Sequence, residues 1–252
     1  MHIVIIGTGN TATVLGKRIK AAGHNIVLVF GRNESEAKTL AAILGTTYTS
    51  SWNDINNTNA ELYLLAVTDD ALEDISQQLS VNDKILVHTA GAVSKDVLKN
   101  ASRHYGVLYP LQSLRKEMEP LTEIPLHIDA SDEQTLKLIG DFANSISKHV
   151  TVSNDMERLK LHVAAVFCNN FTNYMYTLAE EYCKKENLAF NHLIPLIKET
   201  ASKLQYHSPS SMQTGPAIRG DKKTIQKHEQ LLAGYEELHE VYQNLTQKIS
   251  EH

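Results

Sequence analysis

The chain has 252 residues, 42% hydrophobic and 21% charged, a composition that excludes a disordered or membrane protein and suits a soluble one with one large core or two ordinary ones. A net charge of -5 and a pI near 6.2 argue against nucleic acid as the main partner. Cys168 and Cys183 fall in one predicted helix without CxxC spacing, and no apolar stretch approaches the roughly 18 residues of a membrane span. No disulfide framework, metal site or membrane segment is therefore expected, and a cytoplasmic location follows.

The first elements carry the clearest pattern. An apolar run over 3–6 meets Gly7, Thr8, Gly9, Asn10, Thr11 and Ala12, then a helical pattern with Val14, Leu15 and Ile19 inward. Strand, glycine turn and helix in that order hold a dinucleotide: Gly7 permits the tight turn, Gly9 lets a pyrophosphate approach bare backbone, and Ala12 lets the helix pack on the sheet. The unpaired N–H groups at the helix start then face an anion. The plainer alternative is an ordinary β-turn. A second strand over 25–30 ends at Gly31, Arg32 and Asn33, with no carboxylate at the tip where NAD enzymes offer one to the ribose 2′-hydroxyl. Arg32 suits a 2′-phosphate, which favours NADP over NAD; otherwise Arg32 is a solvated charge and Glu34 reaches the ribose.

A helix over 34–44 follows, ended by Gly45, and a short strand over 46–49. The continuous apolar run 62–67 reads as a central parallel strand buried on both faces. It exits through Thr68, Asp69 and Asp70, where one aspartate is expected to cap the next helix. In a doubly wound sheet the ligand lies beyond the carboxyl ends of such strands, which makes Ala66, Val67 and Thr68 candidates for the nicotinamide half of the cofactor. The strand 85–87 exits on the same rim into His88, Thr89, Ala90 and Gly91. Thr89 offers a hydroxyl, while Ala90 and Gly91 allow close approach. Strands at 107–109, 125–128 and 149–152 and a helix over 132–144 complete an α/β, Rossmann-type, mostly parallel sheet with a late return strand, a nucleotide-binding domain over 1–152.

Beyond Asn154 the strand signals stop, so an all-helical substrate and dimerisation domain is expected over 153–252. Its first helix, 155–187, is far longer than the usual three turns. At 100° per residue Leu161, Ala164, Phe167, Cys168, Phe171, Met175, Leu178 and Tyr182 share a face expected to be core. On the opposite side His162, Asn169, Asn173 and Glu180 form a row that lines either a cleft or a solvated surface. A helix over 188–204 and a loop over 205–222 follow. In that loop Arg219 is a candidate substrate contact or a surface charge, and Asp221 a helix cap. A last helix with apolar positions from Ile225 to Ile249 forms a packing seam.

These residues together resemble a bacterial two-domain family that joins a Rossmann-like domain to a helical domain of unknown function. The resemblance rests on Gly7 to Asn10, on Tyr109-Pro110-Leu111-Gln112-Ser113, on His162 with Ala164 to Phe167 and Asn169-Asn170, and on Thr214-Gly215-Pro216 with Arg219-Gly220-Asp221. More distantly the chain is similar to pyrroline-5-carboxylate reductase, deazaflavin-dependent NADP oxidoreductase and the 3-hydroxyacid dehydrogenases. That likeness implies a nicotinamide cofactor, a cleft between the domains and a homodimer joined through the helical half. The hydroxyacid dehydrogenases carry a lysine four residues before an asparagine on the long helix, whereas here those positions are Ala165 and Val166, so their mechanism does not transfer.

The expected function is an NADP-dependent oxidoreductase passing hydride to or from a small imine or carbonyl compound. His162 is its candidate general acid or base, since its ordinary pKa lies near neutrality. Asn169, Asn170 and Asn173 would orient the substrate and Arg219, from this subunit or the other, would clamp a carboxylate. The alternative is a non-catalytic NADP(H) sensor.

Overall fold

Residues 1–117 and 123–251 are described by the structure, a computed structural model. Their apolar runs form β1 (His2–Ile6), β2 (Asn25–Phe30), β3 (Thr47–Thr49), β4 (Leu62–Leu65), β5 (Asn82–His88), β6 (Ser102–Pro110), β7 (Leu126–Ala130) and β8 (Val150–Val152). These make one eight-stranded sheet in the order β3-β2-β1-β4-β5-β6-β7-β8. Every pairing is parallel except β6 with β7, the return strand that the sequence implies. Strand order reverses between β1 and β4, and a crevice opens above their carboxyl ends.

Helices α1 (Asn10–Ala21), α2 (Glu34–Leu44), α3 (Trp52–Asn57), α4 (Leu72–Gln78) and α5 (Glu133–Ile146) connect the strands. The central strands read as unbroken apolar runs because both faces are covered: Ile3, Val4, Ile5 and Ile6 are all fully buried. The two-residue alternation of a strand sends Ile3, Ile5, Leu62 and Leu64 to a core shared with Leu15, Leu40 and Phe142. Val4, Ile6, Tyr63 and Leu65 go to a second core with Leu72, Ile75 and Leu98. Each such side chain contributes about 1.5–3 kcal/mol by leaving water. Asn33 caps α2 by accepting from Ser35 and Glu36 N–H, and Gly45 ends the helix in the left-handed conformation. The expected aspartate cap of α4 does not form: Asp69 and Asp70 lie in a 3₁₀ turn, and α4 starts after Ala71 without a side-chain cap.

The chain divides into two compact units, Met1–Asn170 and Phe171–His252. The first thus extends past the last strand to take in α6 (Asp155–Ala165), capped by Asn154 and Glu157 in a reciprocal box. Where one long helix is expected, the backbone widens into a π-helical stretch at Val166–Phe171, and α7 (Thr172–Lys185) follows. A π turn holds more residues than an α turn, so the 100° projection fails across it. The face expected to be core is nonetheless exposed before the turn as well as within it: Leu161 and Ala164 are exposed and Phe167 and Phe171 are 63% and 51% exposed, whereas Leu178 is buried. The second unit holds α7, α8 (Ile194–Lys203), α9 (Lys222–Leu232) and α10 (Glu236–Ser250). The expected single last helix is broken between Leu232 and Glu236, with Gly234 in the break, and Asp221 caps α9 through Thr224 N–H. Among the described residues no helix is long and apolar enough to cross a membrane, and no three His, Cys, Asp or Glu side chains gather as a metal site.

Asp132 caps α5, accepting from Thr135 Oγ1 at 2.7 Å and Thr135 N–H at 2.8 Å; these bonds, with one from Ser131, hold its pKa down at about 2. The folded value lies below the roughly 3.9 of an unfolded aspartate, so the cap stabilises above about pH 4 and is lost as pH falls through about 2. Asp132→Ala is expected to lower the unfolding free energy by about 1 kcal/mol at pH 7 in urea denaturation, with the gap to wild type closing toward pH 2.

Candidate functional site

Two cavities in the first unit meet at the rim of the sheet. The larger part of the predicted nucleotide set lines the first, of about 480 Å³: Gly7, Thr8, Gly9, Asn10 and Thr11 from the glycine turn, Arg32 and Asn33 beyond β2, and Ala66, Val67 and Thr68 beyond β4. Its shape depends on missing side chains. Gly7 has φ +122°, and a Cβ there would stand 2.1 Å from the Ala66 carbonyl oxygen. Among the described residues a Cβ on Gly9 would meet nothing within 4 Å, which leaves open space over the start of α1. That helix has no side-chain cap and no acidic residue in its first turn, so its leading N–H groups are presented to whatever occupies the cradle. A pyrophosphate fits such a donor set. Ala12 is fully buried and serves packing between α1 and the sheet.

Beyond β2 two opposite charges line the cradle, exposed Arg32 and exposed Glu36. Thr8 Oγ1 donates to the Glu36 carboxylate at 2.7 Å. Glu34, the carboxylate considered from the sequence, instead faces the Tyr48 hydroxyl at 3.5 Å. Asn33 spends its side-chain oxygen on the α2 cap, which fixes the loop carrying Arg32.

The second cavity, of about 510 Å³, shares Thr11 with the first and continues past Thr89 to the Tyr109–Ser113 segment and α6. His162, Asn169 and Asn170 line it, as does Tyr109, whose hydroxyl lies 3.0 Å from His162 Nδ1 with the rings edge to face. Asn169 Nδ2 donates to Ser113 Oγ, fixing the π-helical turn against the segment after β6. Gly91 makes the dyad possible, for a Cβ there would lie 2.9 Å from the Tyr109 ring and 3.0 Å from His162 Nδ1. Burial raises the Tyr109 pKa, with the Arg158 cation acting in the opposite sense. The phenol therefore keeps its proton at neutral pH.

Beneath this pair α6 is clamped to the loop after β5. Arg158, one turn before His162, is 1% exposed and donates through Nη2 to Val93 O at 2.6 Å and to Asp155 Oδ1 at 2.8 Å. Asp155 also accepts from Ser94 Oγ and from Lys95 N–H at 3.2 Å. Burial would raise the Asp155 pKa, but these hydrogen bonds outweigh it and hold the carboxyl low. His88 is fully buried and accepts the Ala90 N–H at Nδ1, and burial with the nearby Arg158 pushes its pKa down to about 4. It is a neutral strut under the Thr89–Gly91 turn. Ala90 packs into the core, so of the predicted rim residues Thr89 faces the cavity and Gly91 gives room to the dyad.

The remaining predicted residues, Asn173 and Arg219, belong to the second unit and are exposed there. The sequence reading missed three participants: Tyr109, Arg158 and Glu36. Tyr109 had a signal, since a tyrosine directly before the proline that ends a rim strand projects beyond the carboxyl edge. Arg158 had only its four-residue spacing from His162.

Comparison with known proteins adds to this geometry. The family described as NADP oxidoreductase, coenzyme F420-dependent, matches residues 2–91, and the domain of unknown function DUF2520 matches residues 124–249. A Bacteroides fragilis structure provisionally described as an NADP oxidoreductase is 37% identical, with a TM-score of 0.91, over 100% of this chain and 98% of its own. A Streptococcus pyogenes 1-pyrroline-5-carboxylate reductase shares the fold at 16% identity and a TM-score of 0.64, over 100% and 99% of the two chains. An imine reductase of Myxococcus stipitatus does so at 13% and 0.58, over 98% and 94%. A search of curated proteins gave no match.

Removing the clamp should cost more than an average substitution. Arg158→Ala leaves Val93 O and Asp155 without their buried donor and opens a void, and is expected to lower unfolding free energy by about 3 kcal/mol in denaturant titration. A loss under about 1 kcal/mol would show that Arg158 does not hold α6.

Proposed function

Because this chain belongs to the two-domain NADP oxidoreductase family, in which an F420-dependent-type nucleotide domain precedes a DUF2520 domain, we propose that it is an NADP-dependent reductase of a small imine or carbonyl compound. One observation carries the reading: Thr11 lines both cavities, so a nucleotide lying over the glycine turn leads directly toward the pocket of Tyr109 and His162. The bound cofactor supplies the hydride. The protein's part is to hold the two reactants in line and manage one proton.

In this reading Gly7 to Thr11 hold the pyrophosphate, Val67 and Thr68 the nicotinamide ribose, and Thr89 the nicotinamide's edge. His162 is the acid or base of the pocket, and Asn169 and Asn170 orient the substrate with neutral hydrogen bonds. Asn173 and Arg219 are assigned to the far end of the substrate. The functional division follows the strand pattern, with 1–152 for the cofactor and 153–252 for substrate and dimerisation. A homodimer through the helical half is supported by the exposure of Phe167, Phe171, Leu188 and Leu196, each more than half exposed. The site of action is the cytoplasm.

NADP is chosen over NAD on Arg32, whose guanidinium pairs well with a phosphate; Glu36 is the group that would oppose it. Fluorescence titration with NADPH and NADH tests this. NADPH is expected to bind at least about tenfold tighter, and Arg32→Ala to remove that preference, a loss of about 1.4 kcal/mol or more. Preference for NADH, abolished by Glu36→Gln, would reverse the assignment.

A further inference from the structure

The proposed reaction needs a proton at the substrate's nitrogen or oxygen, and the pocket offers two hydrogen-bonded groups for it. We propose that Tyr109 is a catalytic residue of its own: its hydroxyl gives the proton to the substrate, and His162 restores that proton through Nδ1. This rests on the reductase reading above.

The argument begins with position. Tyr109 is the last residue but one of β6, on the carboxyl rim, and lines the same cavity as Thr89, one of the residues assigned to the nicotinamide. The bare α-carbon of Gly91 sets the ring within contact of that turn. His162 approaches from α6, and its Nδ1 is already engaged with the tyrosine hydroxyl at 3.0 Å. A donor whose proton leaves must tolerate negative charge, and here the surroundings separate the two groups. Burial raises the Tyr109 pKa and so holds the proton there until the substrate takes it; the buried guanidinium of Arg158 acts in the sense that favours tyrosinate, and Asp69 acts against it. Among the described residues Nε and Nη1 of Arg158 have no hydrogen-bond partner, so that charge is not spent on a second carboxylate there. His127, paired with Tyr109 on the neighbouring strand β7 and with Nδ1 bonded to Ser153 at 2.7 Å, has its pKa lowered by burial and by Arg158, so Arg158 is the cation that acts on the phenol.

The proton balance closes without an imidazolium. As the substrate carbon gains hydride, the π pair of its C=N or C=O bond moves to the heteroatom and takes the Tyr109 proton. The phenolate oxygen takes the proton on His162 Nδ1, and Nε2 takes one from water, which leaves the ring neutral in its other tautomer; exchange with solvent returns the proton from Nε2 to Nδ1 before the next turnover. One proton from solvent thus accompanies one hydride.

The test compares wild type, Tyr109→Phe, His162→Gln and the double variant on a panel of cyclic imines and 2-oxo acids with NADPH, beside nitrogen-15 NMR of the His162 ring without cofactor. Tyr109→Phe keeps the ring's packing and is expected to retain NADPH affinity and to lower kcat by about 10²–10⁴-fold. His162→Gln should lose less, because water can recharge the tyrosine, and the double variant should lose no more than Tyr109→Phe. The Nδ1 resonance should lose its hydrogen-bonded position in Tyr109→Phe. A Tyr109→Phe enzyme within about threefold of wild type, a larger loss in His162→Gln, or an unmoved Nδ1 resonance each overturns the relay while leaving the reductase reading intact. A wild type that binds NADPH but reduces no member of the panel overturns both.

Discussion

Where β1 leaves the sheet there is no room for a side chain. Gly7 lies so close to the Ala66 carbonyl that even a methyl group would stand at 2.1 Å, with a backbone angle that other residues rarely adopt. That single approach fixes how β1 and β4 part, and the parting makes the crevice. It also aims α1 so that its leading N–H groups, free of any side-chain cap, converge on the space over Gly9. The cradle is thus a consequence of backbone geometry at the switch point, with side chains supplying only the selection at its ends.

A second constraint builds the chemistry beside it. Helix α6 is anchored through a guanidinium that is almost wholly buried, tied to a backbone carbonyl and to Asp155, which itself holds Ser94 and Lys95. Burying that charge is costly, and the hydrogen bonds around it offset the cost. The clamp sets His162 one turn further on against Tyr109, and the lack of a side chain at Gly91 lets them meet. Fold and site therefore share residues: the loop that Arg158 grips is the continuation of the rim turn at Thr89–Gly91. The π-helical turn that follows places Asn169 and Asn170 on the same cavity, in keeping with the functional use of such turns.

The parts of this arrangement that depend on local pattern were legible in the sequence. Unbroken apolar runs named the central strands, Gly7 and Gly9 named the cradle, and Gly45 marked the end of α2. What depends on long-range burial was not. An arginine reads as a surface charge until the fold places it under a helix, and Glu36 looks like any exposed helical carboxylate until the glycine turn comes beside it. The projection of residues 155–187 named the wrong face as core: Leu161 and Ala164 are exposed before the π turn at Val166–Phe171 begins, because spacing shows which residues share a face but not what covers that face. The last helix was expected to be continuous because apolar spacing survives its break, and the spacing does not report the break that follows Leu232. Tyr109 was noticed as part of a motif, but its partner lies 53 positions away and only the sheet brings them together.

The central claim is that a nucleotide laid over the glycine turn delivers its nicotinamide to the Tyr109–His162 pocket. A crystal structure of the protein with NADP⁺ tests it most directly. The account predicts the pyrophosphate at the start of α1, the adenosine end at Arg32, and the nicotinamide ring against Thr89 with its C4 facing the Tyr109 hydroxyl. A nicotinamide turned away from that pocket, or a cofactor bound outside the Gly7–Thr11 cradle, would contradict it.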